Sequence, residues 1–193
     1  MGRIEEIVKE LMKEIEKEYK EKIFNDEEWK NTPKRIERMW KEFSKYRKEN
    51  FSKFKTFKNP NYDQLIIVGP INIFSFCSHH LLPFFGKAWV GYLPDKKICG
   101  LSKIPRIVKA EFMKPGIQED ITNSLADKLF EKLKPRFLMV VVKAKHLCMV
   151  MRGVKENGNM ITSAIRWRED YYDKISHLKQ EFLSLLEIKE DII

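Results

Sequence analysis

The sequence predicts an α+β fold with a mainly antiparallel sheet. Three observations carry this. Segments with apolar residues at helical spacing lie at both ends and in the middle of the chain. Short β-branched and aromatic segments lie between them. The two kinds follow one another as two helices, about three strands, two helices, two strands and one helix, which is not the alternation of a parallel βαβ sheet.

Residues 3–20 form the first predicted helix, with Ile4, Ile7, Val8, Leu11, Met12, Ile15 and Tyr19 recurring at helical spacing among Glu and Lys. "NTPKRIERMWKEFSKY", 31–46, is the second: Thr32 suits an N-cap, Pro33 the first helical position, and Ile36, Met39, Trp40 and Phe43 make a stripe. The polar stretch 47–63 reads as a connection. "QLIIVG", "INIFSFC" and "KAWVGYL" read as strands, the first two as a hairpin around Gly69-Pro70. Residues 101–113 read as a helix capped by Ser102, with Pro105 in its first turn. Residues 117–133 read as another, with Ile121, Leu125, Leu129 and Leu133 on one face. Residues 137–154 are too β-branched for a surface helix and read as one long strand or two. "ITSAIRW" reads as a further short strand, and 170–188 as the closing helix. The organisation expected is a helical region and connection over 1–60 and an α+β domain over 61–193.

Lys plus Arg number 37 against 28 Asp plus Glu, a formal charge of +9 that suits an anionic partner or a Lys-rich solvated surface. No apolar run is long enough to span a bilayer, and the N-terminus lacks the apolar core of a signal peptide, so a cytoplasmic protein with no membrane partner is expected. Three cysteines fit no disulfide framework and point to a reducing compartment, where a thiol is free, catalytic or metal-bound.

"SFCSHHLLPFFG", 75–86, places one thiol and two imidazoles within four positions, and "HLC" at 146–148 adds another of each. In an extended segment His146 and Cys148 share a face. A bend at Ser78 would bring Cys77 and His80 around one ion. Cys77, His80 and Cys148 are thus candidate ligands, flanked by His79 and His146. Three protein ligands leave zinc an open position, where a water ionises near neutral pH and becomes a nucleophile, with the spare imidazoles moving protons. The alternative is that Cys148 is a small core residue and the histidines bond to backbone. Cys99 has no His neighbour and reads as a buried thiol, and His177 reads as a surface residue of the last helix.

"TPKRIERM", "CSHHLLPFFGKAWVGYLP", "GLSKIPRIV", "IQEDI" and "HLCMVMRGV" follow one another as in GTP cyclohydrolase I, and the resemblance covers roughly 30–186. It implies a tunnelling fold: an antiparallel four-stranded sheet with paired helices, an N-terminal helical extension, and a barrel formed by oligomerisation. It also implies a homodecamer of two pentamers with sites between subunits, one Zn2+ per subunit, and conversion of GTP and water to 7,8-dihydroneopterin triphosphate and formate. Cys77, His80 and Cys148 match the family's zinc ligands, and His79 and His146 its proton-transfer histidines. Glu119 matches the carboxylate that accepts from guanine N1–H and N2–H, with Gln118 beside it. Ser102 matches a residue on the ribose side. Lys103, Arg106 and Arg152 stand where the triphosphate is held, the first two at a helix start whose dipole favours anions. Arg35 and Arg38 match basic residues sent in by a neighbouring subunit.

The chain departs from the family pattern at Ser78, usually acidic, in "QEDI" for a common "QERL", and in "TSAIRWRED", where a slightly longer Gly-containing stretch is common. Two other classes compete. An enzyme of the same fold acting on a pterin or deazaguanine would use Cys77 as a covalent nucleophile, which leaves Cys148 and His146 unexplained. A zinc module binding nucleic acid would stack bases on aromatics; Trp40, Phe76 and Trp89 fall at core-like positions instead, so no nucleic-acid partner is expected.

Overall fold

The structure, a computed structural model, describes residues 2–51 and 54–186; positions 52 and 53 of the expected connection and the last two residues of the helix expected to reach 188 lie outside them. Contacts group the chain into Met1–Tyr46 and Arg47–Ile193.

In the first unit, α1 spans Arg3–Tyr19 and buries Val8 and Met12, leaving Ile7 and Leu11 of the predicted stripe exposed. Lys20, with φ of 56°, ends it. Helix α2 spans Asp26–Phe51 and so begins five residues before the expected segment. The start signal is a capping box. Asn25 Oδ1 accepts from the Glu28 N–H at 3.0 Å, and Glu28 Oε2 accepts from the Asn25 N–H at 2.9 Å. Pro33 lies inside the helix rather than at its first position.

In the second unit, β2 (Ile66–Phe76), β3 (Pro83–Leu93), β5 (Phe137–His146) and β6 (Met160–Trp167) form an antiparallel sheet in the order β2-β3-β5-β6. A separate ribbon pairs β1 (Thr56–Lys58) with β4 (Lys97–Cys99), two strands the sequence pattern did not single out. The expected hairpin at Gly69-Pro70 is instead one strand with a register shift between Val68 and Ile71; the Gly69-Pro70 peptide is cis. Pro70 has no N–H to give the ladder, and an outer strand tolerates that gap. A Cβ on Gly69 would stand 2.4 Å from Trp89 Cδ1, so the bent strand lies directly on that ring.

Strand β5 shows why the sheet is covered on both faces. Leu138, Val140 and Val142 join the cluster made by α3 (Lys103–Phe112) and α4 (Gln118–Leu133). Phe137, Met139 and Val141 join Leu178 and Phe182 of α6 (Ile175–Leu186). The period of two assigns alternate residues to opposite faces, which is why the segment reads as a continuous apolar run. Trp40, Phe76 and Trp89, expected inside, are half-buried. The expected closing helix is divided into a 3-10 segment, Glu169–Lys174, followed by α6, where His177 is exposed. Cys99 is half-buried beside the Tyr92 hydroxyl, 3.8 Å away.

Among the described residues of the second unit, one charged side chain is fully buried. Glu111 of α3 is fully buried and meets Lys128 Nζ at 2.6 Å, Lys114 Nζ at 2.9 Å and Ser124 Oγ at 2.9 Å, with Arg47 at 3.8 Å. Burial pushes its carboxyl up. The hydrogen bonds from Lys128, Lys114 and Ser124 outweigh that and hold it below the usual carboxylate range.

Candidate functional site

Strand β2 delivers Cys77 to the edge of the helical layer. There it makes an isolated parallel bridge with Gly116, just before α4. The Gly116 N–H donates to Phe76 O at 3.0 Å and the Ser78 N–H to Gly116 O at 3.3 Å, so the "CSHH" and "QED" stretches are adjacent. The loop after Cys77 is tight. Cys77 O accepts from the N–H groups of His80 and Leu81, Leu82 O accepts from the Cys77 N–H, and Leu81 takes φ of 52°.

The second motif arrives on β5. The strand ends at His146, and Leu147–Val150 form a one-turn helix, α5. This corrects the expectation of one or two strands over 137–154. Cys148 therefore comes to the site on a helical turn, not on an extended segment. His146 is opposite Phe84 in the β3–β5 register and stacks on its ring, with centroids 4.4 Å apart and planes 5° apart.

A ligand atom from each of Cys77, His146 and Cys148 lies within 4.8 Å of the others. Cys77 is buried and Cys148 half-buried, and both thiols are free. Burial pushes the Cys148 thiol up, and its hydrogen bond with Cys77 adds to this, while the Arg152 charge works the other way. Two soft sulfur donors and an imidazole this close fit zinc better than a hard cation, and a cation between them would supply the charge that thiolates need.

The other expected residues divide by what they touch. His80 is exposed, and its Nε2 accepts from Arg152 Nη1 at 2.8 Å. Arg152 thus bridges the two motifs, since its charge also acts on Cys148. His79 is exposed beside His80, with ring centroids 6.3 Å apart. Glu119, exposed at the start of α4, acts on His146: burial pulls that imidazole below its ordinary range, and the Glu119 charge opposes the shift. Gln118 is fully buried, with Oε1 2.9 Å from His146 Nε2 and its amide nitrogen on the sheet.

Ser102 occupies the N-cap position of α3 without a side-chain cap bond, and Lys103 and Arg106 follow in the first turn. Arg35 and Arg38 lie exposed on α2 in the first unit, Arg35 paired with Glu27 at 2.7 Å. Sequence reasoning did not single out Phe84, the platform under His146. It missed as well that His146 stands among the thiols. Both follow from strand register, which a single sequence does not print.

The family model described as GTP cyclohydrolase I matches residues 4–187. A curated protein named GTP cyclohydrolase 1 from Aquifex aeolicus is 42% identical over 184 residues, covering 93% of this chain and 97% of the relative. Proteins of the same name from Hydrogenobaculum sp. and Sulfurihydrogenibium sp. are 46% and 43% identical, over 81% and 84% of this chain and 84% of each relative.

Proposed function

The chain belongs to the GTP cyclohydrolase I family, and from that membership we propose that it converts GTP and water to 7,8-dihydroneopterin triphosphate and formate. The observation that carries the reading is the meeting of Cys77, His146 and Cys148, from two distant stretches, within 4.8 Å.

Zinc is the metal proposed, one per subunit, held by Cys77, His80 and Cys148. When bound it supplies a Lewis acid that makes water a nucleophile at neutral pH. His79 and His146 move protons to and from the purine. Glu119 accepts from the N1–H and N2–H of guanine; its exposure leaves the carboxylate open to a ligand, whereas the Gln118 side chain is spent inside the sheet. Ser102 meets the ribose, and Lys103, Arg106 and Arg152 hold the triphosphate. Part of the +9 charge then serves a phosphate site.

A second reading exchanges the imidazoles, because the group the structure gathers holds His146 while His80 rests on Arg152. Metal content separates the two. Loss of zinc in His80→Ala but not in His146→Ala supports the first assignment, and the reverse supports the second.

The assembly proposed is a homodecamer of two pentamers with sites between subunits, to which the helical region 1–60 brings Arg35 and Arg38 and the catalytic domain 61–193 brings the rest. Strands β2 and β6 are the outer strands of the sheet, and Phe74 and Ile161 on them are more than half exposed, which supports closure of a barrel by strand addition. Free thiols fit a cytoplasmic protein. No helix among the described residues is long and apolar enough to cross a membrane.

The test is mass spectrometry of GTP incubated with zinc-loaded protein, with Cys148→Ser as control. A dihydroneopterin triphosphate product absent in the control is expected. Unchanged GTP with folded, zinc-loaded protein refutes the reading, and a ring-opened formamidopyrimidine as end product limits it to the first hydrolytic step.

A further inference from the structure

We propose that Gln118 is a positioning residue that fixes His146 as its Nε2–H tautomer and aims the Nδ1 lone pair, rather than a contact to the substrate. The value of this to catalysis rests on the reading above; the tautomer itself does not.

The hydrogen-bond roles follow from atoms that can act in only one way. The Gln118 amide nitrogen lies 3.2 Å from Val142 O, 3.2 Å from Met160 O and 3.0 Å from Thr162 Oγ1. Backbone carbonyls only accept, so the nitrogen must face them, and a flipped amide would put oxygen against two carbonyl oxygens. The threonines agree with this. The Thr122 hydroxyl has one hydrogen, and Gln118 O at 2.7 Å can only accept it. At the 2.8 Å contact between the threonines Thr162 is therefore the donor, which leaves its lone pairs for the Gln118 amide. Gln118 Oε1 is then an acceptor aimed at His146 Nε2, 2.9 Å away, and that nitrogen must carry the proton.

The ring is fixed in plane as well. It stacks on Phe84, itself fully buried, so a tilt breaks the stacking, while a 180° flip, which keeps the plane, carries Nε2 away from Gln118 Oε1. Gln118 has no exposed surface to offer a ligand. It also ties three elements together, since it starts α4 and bonds to β5 and β6. Whether His146 moves protons or holds the metal, the nitrogen at work is Nδ1, and its lone pair is directed by a residue that touches neither substrate nor metal. A merely structural Gln118 would stabilise the sheet and leave the imidazole indifferent.

The experiment is solid-state NMR of zinc-loaded protein carrying 15N-histidine, at about pH 8, where imidazoles are neutral, with His146 assigned by its loss in His146→Ala. The expected wild-type spectrum shows His146 protonated at Nε2 alone, with a hydrogen-bonded proton. In Gln118→Met, of similar length but without the acceptor, that hydrogen-bonded signal is lost. Steady-state kinetics of the same variant should show kcat lower by about 10- to 100-fold with KM for GTP within about twofold. An Nδ1–H form in the wild type overturns the proposal, and needs no variant to fold and no turnover to be read. A raised KM with unchanged kcat also overturns it, since that marks a substrate contact. So does a variant spectrum and kcat equal to the wild type's. Absence of GTP turnover in the wild type would refute the function while leaving the tautomer decided by the spectrum.

Discussion

Replacing Glu111 by Gln removes one negative charge from a site with no solvent exposure and keeps the shape. The carboxylate accepts charge-assisted hydrogen bonds from Lys128 and Lys114 and a third bond from Ser124. Gln retains one oxygen, and its amide must turn N–H toward an ammonium that can only donate. Breaking a buried pair from one side costs about 3–5 kcal/mol, and the cations here can reach water, their side chains being 31% and 36% exposed, which favours the lower end. A loss of about 3 kcal/mol lowers the midpoint by roughly 6–12 °C for a chain of this size. The pH dependence identifies the cause. The folded carboxyl lies below its unfolded value of 4.5, so its contribution is complete above that pH and fades as pH falls through the folded value. Urea unfolding of both proteins from about pH 3 to 8 should show a constant gap from neutral pH down to about 5 that closes under acid. A gap under about 1 kcal/mol at neutral pH, or one that persists unchanged in acid, would refute the argument that the cations hold an ionised Glu111.

Three further outcomes are expected. Cys148→Ser should lose the proposed zinc, read as metal per chain after dialysis, because Cys77 is then the one sulfur donor left in the group; full occupancy would refute the assignment. Glu119→Gln should raise KM for GTP and lower kcat/KM by about a hundredfold, equivalent to two hydrogen bonds to a charged acceptor at about 1.5 kcal/mol each, and an unchanged KM would remove Glu119 from the guanine site. Gly86→Ala should destabilise by about 2–3 kcal/mol, since a Cβ would stand 2.0 Å from Lys143 O in the β3–β5 ladder; a wild-type urea midpoint would show that the ladder opens there at little cost.

What was legible in the sequence depended on the range of the interaction. Helices α3 and α4 are legible because their apolar periodicity is local, and strands β3, β5 and β6 because β-branched and aromatic residues cluster there. The start of α2 is hidden because Thr32-Pro33 is a good local start signal, while the Asn25–Glu28 box that begins the helix lies about two turns earlier. Gly69-Pro70 reads as a turn, and only its place on an outer strand turns it into a bulge. At the site, Cys77 and Cys148 announced themselves by their histidine neighbours. Glu119 is a solvated helix residue on every local criterion and came from the family resemblance alone. Glu111, with Lys114 three residues on, looks like a surface ion pair; nothing local says that α4 covers it with Lys128 and Ser124.

The two outer strands of the sheet bear on the assembly proposed above. Joining β2 of one copy to β6 of the next is a head-to-tail contact, and such contacts give a ring only when the rotation per subunit closes; otherwise they give a fibre. Curvature is therefore what separates a finite particle from an endless one. In the ring proposed above, part of it would come from the shift between Val68 and Ile71, where the outer strand lies against Trp89. A substitution that straightened β2 would then leave the fold of each copy intact and alter the count at which the proposed ring closes.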